Sequence, residues 1–250
     1  MSQKVGALLL LLLSPLVWAQ GAVTMGNRDK SVRDPMECLL QPRLESNIGS
    51  PVEGVIRKVL VDRGRLVSAG QPLVELESHV EQAAVSLKQA QEDFGNRRIA
   101  RNKDLFDKSL LSEGERDEIV TQTELARLER AHQQALLEQK TIRAPFAGLV
   151  VERYLSPGDR VLQEKILKLV QLDPLNVELI VPARLMGQIR AGMQARVSHP
   201  EFIPVPALAR VEVVDRVVDV ASSTIGVRLT LPNPGARIPA GIACTLEFKP

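Results

Sequence analysis

The chain has 250 residues, of which 44% are hydrophobic, so it can fold into about two or three small domains. Its 32 basic and 30 acidic residues leave a net charge of only +2, which argues against a nucleic-acid partner. Aromatic residues make up 3% of the chain, too few for the stacking platforms of a single-strand-binding protein.

Residues 1–19 have the layout of a secretory signal peptide. Lys4 gives a positive start, an apolar run extends from Val5 to Leu13, and Val17-Trp18-Ala19 offers small residues at the positions that a signal peptidase reads. The alternative is an uncleaved membrane anchor, but a span needs about 20 apolar residues and this run is shorter. We therefore expect export, with cleavage after Ala19.

Residues 20–45 mix charged residues, Gly, Pro and Met without a period, which indicates a linker that ends in a short strand around Cys38 to Leu40. Cys38 and Cys244 would meet an oxidising compartment after export. The sequence does not give the distance between their Cα atoms. A disulfide between the two residues and a pair of buried free thiols therefore both remain open.

One motif occurs twice, 94 residues apart. Its first copy contains Pro51, Gly54 and Gly64, and its second copy contains Pro145, Gly148 and Gly158 in the same register. Short apolar runs that alternate with charged residues, together with Gly-containing turns, predict β-strands around both copies. We interpret residues 46–77 and 141–172 as two halves of one small β-unit.

Residues 78–140 separate these halves and contain no Pro, but are rich in Ala, Leu, Glu, Gln, Arg and Lys. This composition predicts two helices that form an αα-hairpin, with a joint between Leu110 and Gly114. Ser78 with Glu81, and Ser112 with Glu115, have the spacing of capping boxes. Each arm would reach about 40–45 Å at about 1.5 Å per residue.

The apolar residues of the two arms predict how the helices pack. Val80, Leu87 and Phe94 recur every seven residues and predict a narrow seam of coiled-coil type. The second arm has the apolar positions Ile119, Leu125, Leu128 and Ala135.

Residues 173–250 predict a small antiparallel β-barrel, because short strands alternate with turns that contain Pro and Gly. A short helix is expected between Arg184 and Ile189. The predicted strands are Leu175 to Val181, Ala195 to Ser198, Ala207 to Val214, Thr224 to Leu231 and Cys244 to Phe248.

This order of segments in an exported chain resembles the HlyD-like membrane fusion proteins, the periplasmic adaptor subunits of tripartite efflux and secretion pumps. The sequence from Ile142 to Val150 is close to the most recognisable sequence motif of that family, and Pro157-Gly158-Asp159-Arg160-Val161 continues the motif. The similarity covers roughly residues 45–250. It implies a mainly β fold in which a split lipoyl-like β-sandwich carries an antiparallel coiled-coil hairpin and is followed by a small antiparallel β-barrel.

The resemblance also implies a function without catalysis or a cofactor. Such an adaptor couples an inner-membrane transporter, of the RND or ABC type, to an outer-membrane efflux channel across the Gram-negative envelope. It works in the periplasm in association with the inner membrane, and its subunits assemble into a homo-oligomeric ring. The hairpin tip of the family meets the channel through an Arg, a Leu four residues later and a Ser seven after that. Arg101, Leu105 and Ser112 match this spacing.

Two other functions remain as alternatives. A biotin or lipoate carrier domain would need a modified lysine in the turn that reads Glu77-Ser78-His79-Val80 here, and Val80 has no amine to modify. An envelope scaffold without a pump partner is the second. A metal site is not expected, because His79, His132 and His199 are far apart in the sequence and have no ligand partner at a suitable spacing.

Overall fold

The computed structural model describes residues 31–249 except positions 33, 109 and 111, so the predicted signal peptide lies outside the described residues. The helices are α1 (His79–Asp107) and α2 (Glu113–Glu138). The strands are β1 (Met36–Ile48), β2 (Gly54–Val59), β3 (Leu66–Val67), β4 (Pro72–Leu76), β5 (Thr141–Arg143), β6 (Gly148–Arg153), β7 (Arg160–Val161), β8 (Leu167–Pro182), β9 (Gln194–His199), β10 (Ile203–Val214), β11 (Thr224–Leu231) and β12 (Ala243–Phe248).

The two copies of the sequence motif pair with each other. Strands β2, β3 and β4 of the first copy pair with β7, β6 and β5 of the second. Gly54 lies opposite Val161, and the same pairing recurs with the copies exchanged, since Gly148 lies opposite Val67. The β-unit of residues 46–77 and 141–172 is therefore one pseudo-symmetric body whose halves cannot be separated without breaking strand pairs.

The turn glycines of both copies make matching hydrogen bonds. Gly64 and Gly158 have φ values of +84° and +93°, a backbone conformation that residues with a Cβ rarely adopt. The Gly64 N–H donates to the carbonyl of Val150 at 2.8 Å, and the Gly158 N–H donates to the carbonyl of Ile56 at 2.8 Å. Pro51 and Pro145 occupy the bends that precede β2 and β6.

The second β-region is a closed six-stranded barrel. Its strands follow the order β1-β12-β9-β10-β11-β8, and pairing between β1 and β8 closes the ring. Alternate residues of each strand face inward and form one apolar core, separate from the core of the β-unit. The fully buried members of the barrel core include Leu40, Leu175, Val177, Val197, Leu229 and Leu246.

Strands β1 and β8 join the barrel to the β-unit. They pair from Cys38 opposite Leu179 to Ile48 opposite Leu167. The predicted linker over 20–45 is therefore wrong from Met36 onward, since these residues form a 13-residue strand rather than a short one. The second half of β1 is polar and only partly buried, so the sequence pattern predicts a strand only over the apolar first half.

The connection between β8 and β9 corrects a second prediction. The helix expected between Arg184 and Ile189 is reduced to a single 3-10 turn at Ala183–Leu185. Gly187 follows with a φ of +86°, which ends any helical continuation.

Helices α1 and α2 run antiparallel, and charged pairs link them. Lys88 Nζ lies 2.6 Å from a Glu129 carboxylate oxygen, and Arg130 Nε donates to Glu92 at 2.5 Å. The helices are in close contact at Gly95, where a Cβ would lie 2.5 Å from the Thr123 hydroxyl oxygen. Glycine at this position therefore permits the approach, and its low helix propensity is only part of its effect.

Only one of the two predicted capping boxes forms. The Ser112 side chain accepts a hydrogen bond from the Glu115 N–H, and the Ser112 N–H donates to the Glu115 carboxylate at 3.0 Å. Ser78 begins α1 without a side-chain cap. Glu81 instead pairs with Lys140 at 3.0 Å, and this interaction holds the pKa of Glu81 below its ordinary value.

Candidate docking surfaces

The three residues of the predicted tip motif lie at the same end of the helical pair. Arg101 and Leu105 are exposed on the last two turns of α1, and Ser112 is the N-cap of α2. The Arg116 guanidinium lies 6.0 Å from the centroid of the Phe106 ring, so a cation–π contact joins the two helices near this end. Leu110, in the joint between the helices, is also exposed here.

The seam predicted at Val80, Leu87 and Phe94 is not buried against α2. These side chains are 79%, 59% and 55% exposed. Leu125 and Leu128 of the second helix are also about half exposed. We call this set of outward positions the outer seam: Val80, Ala83, Leu87, Ala90 and Phe94 on α1, with Leu125, Leu128, His132 and Ala135 on α2.

A different set of positions lies between the helices. We call it the inner seam, and its members are buried or half-buried at alternating steps of three and four residues. On α1 it comprises Glu81, Val85, Lys88, Glu92, Gly95 and Ile99, and on α2 Ile119, Thr123, Ala126, Arg130, Gln133 and Leu137. The face of α1 that contacts α2 therefore differs from the predicted one.

Two family models match the sequence of this fold. A CzcB-like barrel-sandwich hybrid domain matches residues 45–170, half of the chain, and a CusB-like β-barrel domain matches residues 175–250. The chain belongs to the membrane fusion protein family. The first model spans the β-unit and its helical pair, and the second spans most of the barrel, so the resemblance seen in the sequence is confirmed.

Relatives of this membrane fusion protein include two named for cation efflux and metal resistance. The cation efflux system protein CzcB of Alcaligenes sp. (strain CT14) is 23% identical over 86% of this chain and 44% of its own length. The cobalt-zinc-cadmium resistance protein CzcB of Cupriavidus metallidurans is 24% identical over 81% of this chain and 39% of its own length. This chain therefore spans less than half the length of either relative.

A solved structure shows the same fold. The MacA-MexA chimeric protein, which contains the Pseudomonas aeruginosa MexA α-hairpin domain, superimposes with a TM-score of 0.72 at 17% identity. The match covers 87% of this chain and 81% of the chimera. Identity at this level shows a common fold and no more.

The cysteines of this membrane fusion protein face each other on neighbouring barrel strands. Cys38 of β1 lies opposite Cys244 of β12, with the Cα atoms 4.9 Å apart, and the structure joins the sulfur atoms. Both residues are buried, Cys38 near the start of β1 and Cys244 within β12. The pair therefore links β1, the strand that the barrel shares with the β-unit, to β12.

A polar network on the outer barrel surface links four adjacent strands. The Arg43 guanidinium of β1 binds Asn176 of β8 and the Glu212 carboxylate of β10, which also accepts from the Thr230 hydroxyl of β11 at 2.9 Å. The hydrogen bond from Arg43 is the main cause that lowers the pKa of Glu212 to about 2. Glu212 thus keeps its negative charge, and this network, at neutral pH.

Two kinds of site were sought among the described residues and not found. Across 31–249, apart from the three positions left out, no three His, Cys, Asp or Glu side chains are grouped to hold a metal ion. No helix in that same part of the chain is both long and apolar enough to cross a bilayer. Val80 lies exposed in the first turn of α1.

Proposed function

We propose that this chain is a non-enzymatic periplasmic adaptor that couples an inner-membrane transporter to an outer-membrane channel in a tripartite efflux pump. One observation carries the proposal: a paired-helix arm projects from a β-unit that is built from two interleaved halves and matches the CzcB-like family. The arm has 29 and 26 residues in its two helices, a reach of about 40 Å. Its tip lies far beyond the β-unit, as a link between two membranes requires.

The β-unit is the counterpart of a lipoyl-like sandwich in this proposal, and the helical pair is a coiled coil that replaces its lysine turn. Opening that turn into an arm removes the modified residue, and Val80 leaves no amine there. A carrier function is therefore disfavoured. An envelope scaffold without a pump would have the same arm but would bind no outer-membrane channel. Binding of a channel at the tip therefore distinguishes the two functions.

The tip motif provides the first test. We expect Arg101→Asp with Leu105→Ser to reduce recovery of the outer-membrane channel with this adaptor from cross-linked envelopes by about tenfold or more. Arg101 would lose its donors to backbone carbonyls, and Leu105 its buried apolar contact. Lys103→Asp is the matched control, since this exposed residue lies on another face of α1 and the charge change is the same. Unchanged recovery and export in the double variant would exclude the tip as the docking site.

The two seams support assembly of the arms into a tube. With about 3.5 residues per turn, the inner and outer seams of each helix lie about 150° apart around its axis. Viewed from the N-terminus of each helix, the outer seam is offset from the inner seam in the same rotational direction. Because the two helices are antiparallel, these offsets place both outer seams toward the same side of the helical pair. Helices that contact two neighbours at about 150° close into a ring of about 12 to 14 helices, that is, six or seven pairs.

We therefore propose that the outer seam of α1 packs against that of α2 in the next subunit, a heterologous contact. Phe94→Glu with Leu128→Glu should lower the association constant between subunits about 100-fold, since each substitution places a charge in an apolar contact. Gln89→Glu with Asn96→Glu adds the same charge on an exposed face of α1 outside both seams. Cross-linking of subunits in envelopes measures the effect. Equal yields for the two double variants would refute a contact at the outer seam.

A further inference from the structure

A groove of about 260 Å³ lies between α1 and α2 on one side of the helical pair. Phe94 and Leu125, one outer-seam residue from each helix, line it. It is also lined by inner-seam residues, namely Gly95 of α1 with Ile119, Thr123 and Ala126 of α2. Because residues of both seams from both helices meet here, the groove marks the side of the pair toward which the outer seams are offset.

Polar side chains border this groove. Gln91 and Arg98 of α1 are seven residues apart, as are Gln122 and Glu129 of α2, so each pair forms one line along its helix. Arg98 Nη1 donates to Gln122 Oε1 at 3.4 Å, and Lys88 Nζ lies 2.6 Å from a Glu129 carboxylate oxygen. We call the side that carries Gln91, Arg98, Gln122 and Glu129 the groove face. Its border residues are polar and are linked across the two helices.

The opposite side of the pair carries other residues at the same level of the arm. Two residues along a helix turn by about 200°, so Gln89 lies nearly opposite Gln91, and Glu124 lies nearly opposite Gln122. Gln89 and Glu124 are both exposed. Glu124 accepts a hydrogen bond from Arg127 of its own helix at 2.8 Å. The two sides can therefore be compared with residues only two positions apart in the sequence.

Closure of the ring decides which side of the pair lies inside. The inner-seam and outer-seam contacts of each helix are about 150° apart on the groove side and about 210° apart on the other side. In a closed ring the smaller of these angles faces the centre, as the interior angle of a polygon does. With axes about 9–10 Å apart, 12 to 14 helices enclose a bore about 25–30 Å wide between helix surfaces.

We propose that the groove face lines this bore and is the surface past which cargo moves, while the opposite face contacts the periplasm. The inference rests on the proposed assembly of the arms into a tube. Each subunit would then place Gln91, Arg98, Gln122 and Glu129 in the wall, so that every one of them recurs around the bore. Amide and charged groups can replace the water contacts of a polar solute, so this wall suits water-soluble cargo rather than lipid-like cargo.

The reactivity of single introduced cysteines in envelopes tests this orientation. Gln91→Cys and Gln122→Cys report on the groove face, and Gln89→Cys and Glu124→Cys are the matched controls on the opposite face. The natural cysteines are bonded to each other, so each variant has one free thiol. A maleimide on a long polyethylene glycol chain, too bulky for the bore, should label the groove-face thiols at least about tenfold more slowly than the controls, because it reaches them only when the tube opens. A small maleimide should label all four at similar rates.

The same four variants, purified as dilute single subunits, should react alike with both reagents, which would assign the difference to assembly. Equal labelling of the two faces by the bulky reagent, or slower labelling of the opposite face, would overturn the inference if the outer seams cross-link and the channel is recovered in the same envelopes. The pump function would stand in that case. Absence of both the cross-links and the channel from envelopes of the unsubstituted protein would instead refute the proposed function, and this inference with it.

Discussion

Replacing both Cys38 and Cys244 with alanine is expected to lower the free energy of unfolding by about 2–5 kcal/mol. The two residues are 206 positions apart, so their bond closes a loop that contains the whole β-unit, the helical pair and most of the barrel. Closing so long a loop restricts the unfolded chain strongly, and the effect grows with the logarithm of its length. The pair also holds β1 in the barrel, where that strand is needed to close the ring.

Urea denaturation of the oxidised protein, followed by circular dichroism, measures this difference. The reductant dithiothreitol should reproduce the loss in the natural sequence and have no effect on the Cys38→Ala, Cys244→Ala variant. This comparison separates the bond itself from the loss of two buried side chains. Two thiols that titrate in the native, unreduced protein would show instead that the cysteines are free.

The sequence predicts strand pairing well where backbone geometry leaves few choices. Gly64 and Gly158 occupy turns with positive φ, and such turns stand out in a sequence because other residues rarely tolerate that conformation. Their recurrence at a fixed spacing indicated two equivalent turns, and the observed pairing of β2 with β7 and of β3 with β6 follows that symmetry. The strand β11 was also predicted with its observed bounds, Thr224–Leu231.

The packing face of α1 could not be predicted in the same way. Val80, Leu87 and Phe94 have the spacing and the apolar character of a buried seam, yet the inner seam beside them contains Lys88 and Glu92. Those charged residues are acceptable between the helices because Glu129 and Arg130 lie opposite them, some 40 residues later in the chain. Local periodicity does not contain this information, since complementary partners appear only once the helices are aligned.

The stability of the isolated helical pair depends on which residues its two seams contain. The outer seam is largely apolar, whereas the inner seam includes charged pairs. Charged pairs near the surface contribute about 0–1 kcal/mol each, so the apolar members of the inner seam, such as Ile119, contribute most of its stabilisation. Burial of the outer seam between subunits would add a further apolar contribution. The arm should therefore be more stable in the assembled ring than in a single subunit, which couples its order to assembly.

Substitution of Gly148 with alanine should destabilise the β-unit by about 1–3 kcal/mol. A Cβ at this position would lie 3.0 Å from the carbonyl carbon of Val170 and still closer to its oxygen. The obstructing atoms belong to the backbone of β8, which is fixed by its pairing with β1 on the other side. Neither strand can yield without loss of ladder hydrogen bonds, so the added methyl group forces a shift of β6.

Gly54→Ala is the control that the repeat itself provides, since Gly54 is the equivalent of Gly148 in the first copy. Its Cβ would meet Leu76 Cδ1 at 3.1 Å, the end of a side chain that can move aside, so the cost should stay below about 1 kcal/mol. Thermal unfolding of the two variants, with hydrogen exchange at the amides of β6, measures the difference. Equal losses of stability in the two variants would mean that the two glycines have equivalent surroundings. A larger cost at Gly148 would show that the symmetry of the repeat ends where β8 leaves the β-unit to enter the barrel.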